Sequence, residues 1–549
     1  MPRRSISSRC ADFETTTNSF DCRVWSWGSM AVDDYDDYVI GIGVGSYVAY
    51  MLSFPSITYF HNLAFDGSFI LDYILKDGYA WVAKNPGKGQ FSTVISNTNK
   101  FYSITIISKE GVKVELRDSL KKIPLPVRDV PKAFNLESSK GDIDYEMERP
   151  VGYLPSQEEW DYLYRDIFIM AQAMRMVLAS GMKRLTVGAD SLAEFKSLHG
   201  KGFERTFPVL SKTVDDDIRL AYRGGIAMPN KKYARKRVGR GIVIDKNSMY
   251  PWVMRTKLLP YGKPWWSEVE DDDADLFILS LTFTARLKAN HVPCIQIKRS
   301  IQFNSQEFLE EVNEPTTVSI TSVDLELWQE QYDLKIWAIN GYWNFKGIKG
   351  LFNDYIDKWM AVKANSTGGA RTIAKLHLNS LYGKFAKNTD VTGKRPVLDD
   401  TGTVQYVMCD HEESNPVYTA MGAFITAYAR QDLIRSAQAN YDRFLYCDTD
   451  SLHLLGEEEP DLWLHSTKLG AWKVEHDGQP FDEAVFLRAK QYCERFGDYD
   501  DVHIAGLPHE IAARVRLEDM LQPRTWDGKL VPKRVPGGTV LANTTFTLK

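Results

Sequence analysis

Phe444-Leu445-Tyr446-Cys447-Asp448-Thr449-Asp450-Ser451-Leu452-His453-Leu454-Leu455 sets two carboxylates in the middle of otherwise apolar and aromatic sequence. The apolar runs predict two strands and Asp-Thr-Asp a tight turn between them. Residues two apart then put Asp448 and Asp450 on the same side of a hairpin tip. Like charges held that close repel. A bound divalent cation is the usual reason to keep both ionised, and hard carboxylate oxygens suit magnesium or manganese. An isolated Asp-x-Asp reads more simply as a solvated turn, because turns collect Asp for backbone reasons. The flanking strands and the sequence upstream weigh against that reading here.

Upstream, Gly241-Ile242-Val243-Ile244 reads as a buried strand ending in Asp245, followed by Lys246-Asn247-Ser248-Met249-Tyr250-Pro251. Between the two acidic stretches lie Arg371 and then Lys375-Leu376-His377-Leu378-Asn379-Ser380-Leu381-Tyr382-Gly383. On a helix Arg371, Lys375, Asn379 and Tyr382 recur at i, i+4, i+8 and i+11, one face carrying two cations, an amide and a phenol. That face suits a triphosphate.

A second group of acids lies near the N-terminus. Asp12-Phe13-Glu14 puts two carboxylates on one face of a strand. Another apolar strand runs into His61-Asn62-Leu63-Ala64-Phe65-Asp66-Gly67, and a helical segment carries Tyr162-Leu163-Tyr164-Arg165-Asp166. Asp12, Glu14, Asp66 and Asp166 on separate elements are what a two-cation site needs, one ion polarising water and one stabilising the leaving oxygen. Phosphodiester hydrolysis is the chemistry predicted. Any one of these acids alone reads equally well as a cap or a surface charge.

Bulk properties bound the rest. A chain of 549 residues, 44% of them hydrophobic, can bury large cores and should form at least two domains. A net charge of −5 and a pI near 6.1 leave no diffuse positive field for a polyanion, so local clusters must supply any phosphate contacts. Tyr222-Arg223-Gly224-Gly225 followed by Lys231-Lys232-Tyr233-Ala234-Arg235-Lys236-Arg237 is such a cluster, although a charge run is usually a solvated face. The six cysteines include no Cys-x-x-Cys pair, which argues against a zinc module and a disulfide framework and for a reducing compartment. Arginines at the N-terminus are followed by no apolar core, so no signal peptide is expected. Tyr38 to Phe60 carries no charge and is long enough to span a bilayer, but its glycines, serines and Pro55 predict a strand, a short helix and a strand instead.

In order and spacing, Asp-x-x-Ser-Met-Tyr-Pro, Lys-x-x-x-Asn-Ser-Leu-Tyr-Gly and Tyr-Cys-Asp-Thr-Asp-Ser resemble motifs A, B and C of B-family DNA polymerases. The likeness is to the protein-primed members of phage phi-29 type, and it runs from Asp12-Phe13-Glu14-Thr15-Thr16-Thr17 to Val535-Pro536-Gly537-Gly538-Thr539-Val540. It implies an α/β multidomain (α+β) fold: an RNase H-like 3′–5′ exonuclease domain plus a right-hand polymerase of palm, fingers and thumb with two insertions. Expected boundaries are exonuclease 1–185, palm 186–256 and 418–508, first terminal-protein-type insertion 257–350, fingers 351–387, second insertion 388–417 and thumb 509–549.

By the same resemblance the chain is a template-directed DNA polymerase with proofreading. Asp245 and Asp448 hold two Mg2+ (or Mn2+) ions with Asp450 supporting, and Asp12, Glu14, Asp66 and Asp166 hold two more in the exonuclease, where Tyr162 orients the attacking water. Tyr250 would lie under the sugar of the incoming nucleotide, Lys363, Arg371 and Lys375 would meet its triphosphate, and Asn379 and Tyr382 would border it. Thr15, Asn62, Phe65, Ser119, Leu120 and Lys140 are expected to hold the frayed single strand or support its site. Tyr222, Gly224, Gly225, Thr426, Arg430, Lys490 and Tyr492 are expected template-primer contacts, and Ile297-Lys298-Arg299 a contact to nucleic acid or priming protein. Expected partners are template-primer DNA, deoxynucleoside triphosphates, a terminal protein serving as primer and a single-stranded-DNA-binding protein. A monomer in the cytoplasm of a bacterial host, with no membrane span, is expected. The alternatives are a metal-dependent 3′–5′ nuclease and a non-catalytic nucleic-acid-binding relative. Three departures stand out: Met249 in motif A, His377 at an apolar position of motif B, and a short stretch between Tyr492 and Gly506.

Overall fold

Alternation in Ser7–Thr15 sends Ala11 and Phe13 into an apolar core shared with Trp27, Tyr47 and Phe60, and leaves Asp12 and Glu14 on the opposite face. In the computed structural model, which describes residues 6–145, 147–298, 302–304 and 307–548, this strand is central to an eight-stranded mixed sheet. Its order is Tyr38–Gly41, Val24–Ala31, Ser7–Thr15, Ser56–Phe60, Lys113–Asp118, Phe101–Ile107, Gln90–Ile95, Ala80–Trp81. Helix Leu63–Lys76 covers the Phe13 face. Helix Gln157–Ala179, started by a capping box of Ser156 and Glu159, covers the acidic one. Gly28, opposite Asp12, lets that helix come close: a Cβ there would lie 3.0 Å from Ile167 Cδ1.

A second centre is a five-stranded sheet in the order Trp472–Val474, Gly241–Lys246, Ser451–Leu455, Phe444–Asp448, Ala227–Pro229. Its back carries Ile242, Ile244, Leu452 and Leu454 into the largest core, against the buried helix Thr419–Ala439. A four-stranded sheet of Arg237–Val238, Glu483–Arg488, Gln491–Phe496 and Tyr499–Ile504 packs over part of its front. The last two strands form a tight hairpin, which accounts for the short stretch before Gly506.

Within the expected first insertion, Leu259–Ser267, Leu276–Leu287, Glu311–Thr321 and Tyr332–Ile348 make a sheet with helix Ser322–Gln331 beside it. Arg299 lies outside the described residues. Within 351–387, helices Asn353–Asn365 and Gly368–Ser380 flank a loop at Ser366-Thr367. Lys394–Leu398 pairs with Val404–Met408 in the expected second insertion, and Arg524–Val535 with Gly538–Leu548 at the C-terminus. The tip of that last hairpin rests on the N-terminal sheet's helix, where Gly537 N–H donates to Asp72 Oδ1 at 3.1 Å.

The mixed, multi-sheet architecture is of the expected class. Tyr38 to Phe60 folds as strand, helix and strand, and no helix among the described residues is long and apolar enough to cross a membrane. His377 is buried, stacked at 3.9 Å on Trp359 between the two helices, and burial lowers its pKa to about 3. It is therefore a neutral aromatic filler, chemically close to the apolar residue expected there.

Candidate active sites

Asp12 and Glu14 face helix Gln157–Ala179, which carries Asp166, while Asp66 enters from the first turn of helix Leu63–Lys76, and the acids lie close enough to shift one another's ionisation. Burial, reinforced by the neighbouring carboxylates, raises Asp12 to about 7 and pushes Glu14 and Asp66 well above the usual carboxylate range. Burial also raises Asp166. Its Oδ2 takes Lys140 Nζ at 2.8 Å, while its Oδ1 is buried with no hydrogen-bond partner. One ammonium cannot neutralise four carboxylates. Among the described residues no three such side chains stand at ligand spacing. Four oxygens-rich groups, an orphaned Oδ1 and a charge imbalance fit a hard divalent cation.

Tyr162 OH lies 2.6 Å from Tyr145 OH, over the same acids, and burial raises its pKa. Tyr145 was not singled out in the sequence; its loop has no periodicity that would mark it. Asn62, in the left-handed region at φ 77°, turns the chain from Ser56–Phe60 into helix Leu63–Lys76. It leaves itself exposed and Phe65 half-buried at a cavity of about 300 Å³ shared with Phe101, Tyr406 and Arg534. Thr15 and Leu120 are half-buried. Ser119 is buried, donates to Phe60 O at 3.0 Å and meets His61 Nδ1 at 3.1 Å, so it supports the strand end and offers no surface.

The second site is the front of the five-stranded sheet. A cavity of about 790 Å³ is lined by Asp245, Asp450, Lys363, Arg371, Lys375 and Asn379, with Lys473 and Glu475 at its edge. Burial, then Asp450, raises Asp245 to about 7, and burial, then Asp448, raises Asp450 to about 6. Lys363 is lowered by burial and by Lys375 and Arg371, more than Asp245 offsets, the mark of crowded cations. Its Nζ donates to Ser248 Oγ at 2.8 Å, and Arg371 Nη1 donates to Lys363 O at 2.8 Å. Tyr382 opens a separate helical turn after the cationic face and stacks on Tyr250, centroids 3.9 Å apart. Lys473 and Glu475 escaped the sequence reading, because only the pairing of Asp245 with Lys473 brings that edge strand to the site.

The hairpin Phe444–Leu455 forms, but its two acids divide differently from the reading above. Thr449 adopts φ 56° and Asp450 N–H donates to Asp448 O at 2.6 Å, a turn that breaks the period-two alternation. Asp450, not Asp448, lines the cavity with Asp245. Asp448 instead accepts from Lys490 Nζ at 2.6 Å and Tyr446 OH at 3.5 Å. Tyr492 packs at 4.8 Å against Tyr446.

Arg430 and Thr426 cannot meet DNA as placed, because both are buried. Arg430 is bound by both oxygens of buried Asp324, at 2.7 and 2.9 Å, and donates to Arg223 O and Gly224 O. Thr426 donates back to Gly422 O within its helix. Hydrogen-bonding periodicity in sequence could not separate an inward from an outward arginine. Removing either member of the Arg430–Asp324 pair strands a buried charge, at about 3–5 kcal/mol, so the pair fixes the Tyr222–Gly225 segment. Tyr222 is half-buried. Gly225 is needed for a close approach to protein, since a Cβ there would lie 2.8 Å from Thr449 Oγ1; at Gly224 nothing lies within 4 Å.

The raised carboxylates have a measurable consequence. Asp12, Asp245 and Asp450 ordinarily ionise near 3.8, but in the fold only near 6 to 7. Between those values the metal-free folded chain holds protons that the unfolded chain has released, so these groups lower stability as pH rises through the window. Magnesium binds the ionised form and restores it. In thermal unfolding the rise in Tm on adding magnesium to chelator-treated protein is expected to be larger at about pH 8 than at about pH 5. An increment independent of pH would contradict carboxylate ligation.

The model of DNA polymerase type B, organellar and viral, matches residues 55–154 and 148–469. Over 580 residues the chain is 41% identical to the DNA polymerase of Bacillus phage phi29, with all of both chains covered. It is 31% identical to that of Streptococcus phage Cp-1, with 98% of each chain covered. Among solved structures, phi29 DNA polymerase complexed with primer-template DNA superposes with a TM-score of 0.94 at 39% identity, covering 99% of this chain and 100% of that one. The same polymerase with primer-template DNA and incoming nucleotide substrates gives 0.92 at 40% identity, with the same coverage.

Proposed function

Because the chain belongs to the type B DNA polymerases, in their protein-primed phage branch, we propose that its two carboxylate sites divide synthesis from editing. It is a template-directed DNA polymerase, and 3′–5′ exonuclease activity is characteristic of its family. The observation that carries the division is the presence of two separate acidic clusters, of which only one faces a row of cations.

At the cavity, Asp245 and Asp450 would hold two magnesium or manganese ions, and Asp12, Glu14, Asp66 and Asp166 two more at the N-terminal site. When bound, such ions raise the acidity of an attacking hydroxyl or water and neutralise charge on the transferring phosphate. Lys363, Arg371 and Lys375 bind the triphosphate of an incoming deoxynucleotide, with Asn379 beside them. Tyr250 packs beneath the sugar and excludes a 2′-hydroxyl; its stack with Tyr382 must part to admit the nucleotide. Lys490 and Tyr492 hold the primer end next to Asp448. At the editing site Tyr162, braced by Tyr145, orients water, Lys140 balances charge, and Thr15, Asn62, Phe65 and Leu120 border the single strand. A stacked base there contributes about 1–3 kcal/mol.

The substrates are template-primer DNA and the four deoxynucleoside triphosphates. A terminal protein seated on residues 257–350 supplies the first hydroxyl, residues 388–417 support strand displacement, and a single-stranded-DNA-binding protein covers the displaced strand. The enzyme works as a monomer in the bacterial host cytoplasm. On a primed template with magnesium, the chain is expected to extend the primer when all four nucleotides are present and to shorten it when they are withheld. With terminal protein from the same genome, labelled nucleotide should become covalently attached to it. Shortening under every condition, without extension, would leave the nuclease reading in its place.

A further inference from the structure

His453 and Glu494 are each about 1% exposed, yet both are ionisable and neither belongs to the catalytic acids or the cationic row. His453 lies on Ser451–Leu455 of the five-stranded sheet. Glu494 lies on Gln491–Phe496 of the sheet packed over it, and His453 Nδ1 meets Glu494 Oε1 at 2.6 Å. Glu494 accepts from Nδ1–H. Nε2 has no partner, although His453 and Glu494 both border the nucleotide cavity.

Around this bond the two sheets interlock through Tyr446, Phe486 and Tyr492, whose ring centroids lie 5.2, 5.4 and 5.1 Å from that of His453. The same strand pair carries the primer-end element: Lys490 N–H donates to Tyr446 OH at 2.8 Å, and Lys490 Nζ reaches Asp448. Lys490 sits at φ 55°, a conformation a non-glycine residue keeps only when its surroundings impose it. Apolar residues would fill this space with less desolvation, so a buried polar pair contributes little to stability compared with what it contributes to fixed geometry.

We propose that His453 and Glu494 are positioning residues: they clamp the Lys490–Tyr492 element over the Asp448-Thr449-Asp450 turn, and so hold the primer end for synthesis. The clamp rests on the reading of Lys490 as a primer-end contact. With the clamp loosened, a matched primer end leaves the synthetic site more readily and is degraded, while a single strand, which never needs that site, is degraded as before.

The test compares the unaltered enzyme with Glu494→Ala, Glu494→Gln and Lys490→Ala. One readout is the nucleotide concentration at which net extension of a matched primer replaces net degradation; the other is the rate of single-strand degradation, which also reports folding. Loss of a buried charge-assisted bond predicts about a tenfold higher concentration for Glu494→Ala, with single-strand degradation within about twofold. Glutamine still accepts from Nδ1–H, so Glu494→Gln should stay within about threefold of the unaltered enzyme. If Lys490→Ala moves the balance and Glu494→Ala does not, the clamp is wrong. If Lys490→Ala leaves it unchanged, the primer-end reading falls, and the clamp with it. Equal loss of both activities in Glu494→Ala, or glutamine as damaging as alanine, also overturns it.

Discussion

With Asp450 replaced by asparagine, extension of a primed template falls by about three orders of magnitude, because ligated ions supply several kcal/mol of charge stabilisation and each 1.36 kcal/mol is a factor of ten. Single-strand degradation keeps the rate of the unaltered chain. Asparagine preserves the shape of the side chain and removes its charge, so the strand turn at Thr449 survives. Asp450 lines the cavity with Asp245; burial raises both, Asp450 raises Asp245 further, and Asp448 raises Asp450 further, as suits carboxylates that take a cation. Asp448→Asn should cost less. Asp448 is engaged by Lys490 and lies off the cavity lining, so its loss weakens the primer end more than the ions. Steady-state extension rates for the two variants decide the matter: a larger defect from Asp448→Asn would restore the division of labour that the sequence alone suggests.

That reversal shows where sequence ran out. The hairpin was legible because apolar runs and Asp-Thr-Asp specify strands and a turn locally. Which acid faces the cavity depends on one left-handed residue, Thr449, and on the Lys490 ammonium reaching across from another sheet. The inward orientation of Arg430 was hidden for the same reason: its partner, Asp324, lies 106 residues away in the expected first insertion. Helix-borne residues such as Arg371, Lys375 and Asn379 fared better, since a period of 3.6 places them on one face whatever the surroundings. Lys473, Glu475, Tyr145 and the His453–Glu494 pair stayed invisible because each owes its position to strand pairing or loop packing and to no local pattern.

Asp12→Ala carries the complementary expectation. Degradation of a single strand falls by about three orders of magnitude, and extension of a matched primer is unchanged or better, because the competing reaction is gone. The two acid clusters sit on different sheets, and none of the four N-terminal acids lines the nucleotide cavity, so neither should sense the other's loss. Stability should move opposite to activity. Asp12 is a buried carboxylate that repels Asp166, Glu14 and Asp66, and removing it relieves that repulsion in metal-free protein at neutral pH. The Tm of the chelator-treated variant should therefore equal or exceed that of the unaltered chain, and its gain on adding magnesium should shrink. A merely structural acid would behave the other way, losing Tm and leaving degradation intact. Copying accuracy follows from the same substitution. Where binding differences alone reach only about 1–3 kcal/mol, selection is limited to roughly 10–200-fold, so a chain without its hydrolytic check should extend mismatched ends that the unaltered enzyme removes. If mismatched ends were still removed by Asp12→Ala, the editing site would have to lie elsewhere than among these four carboxylates.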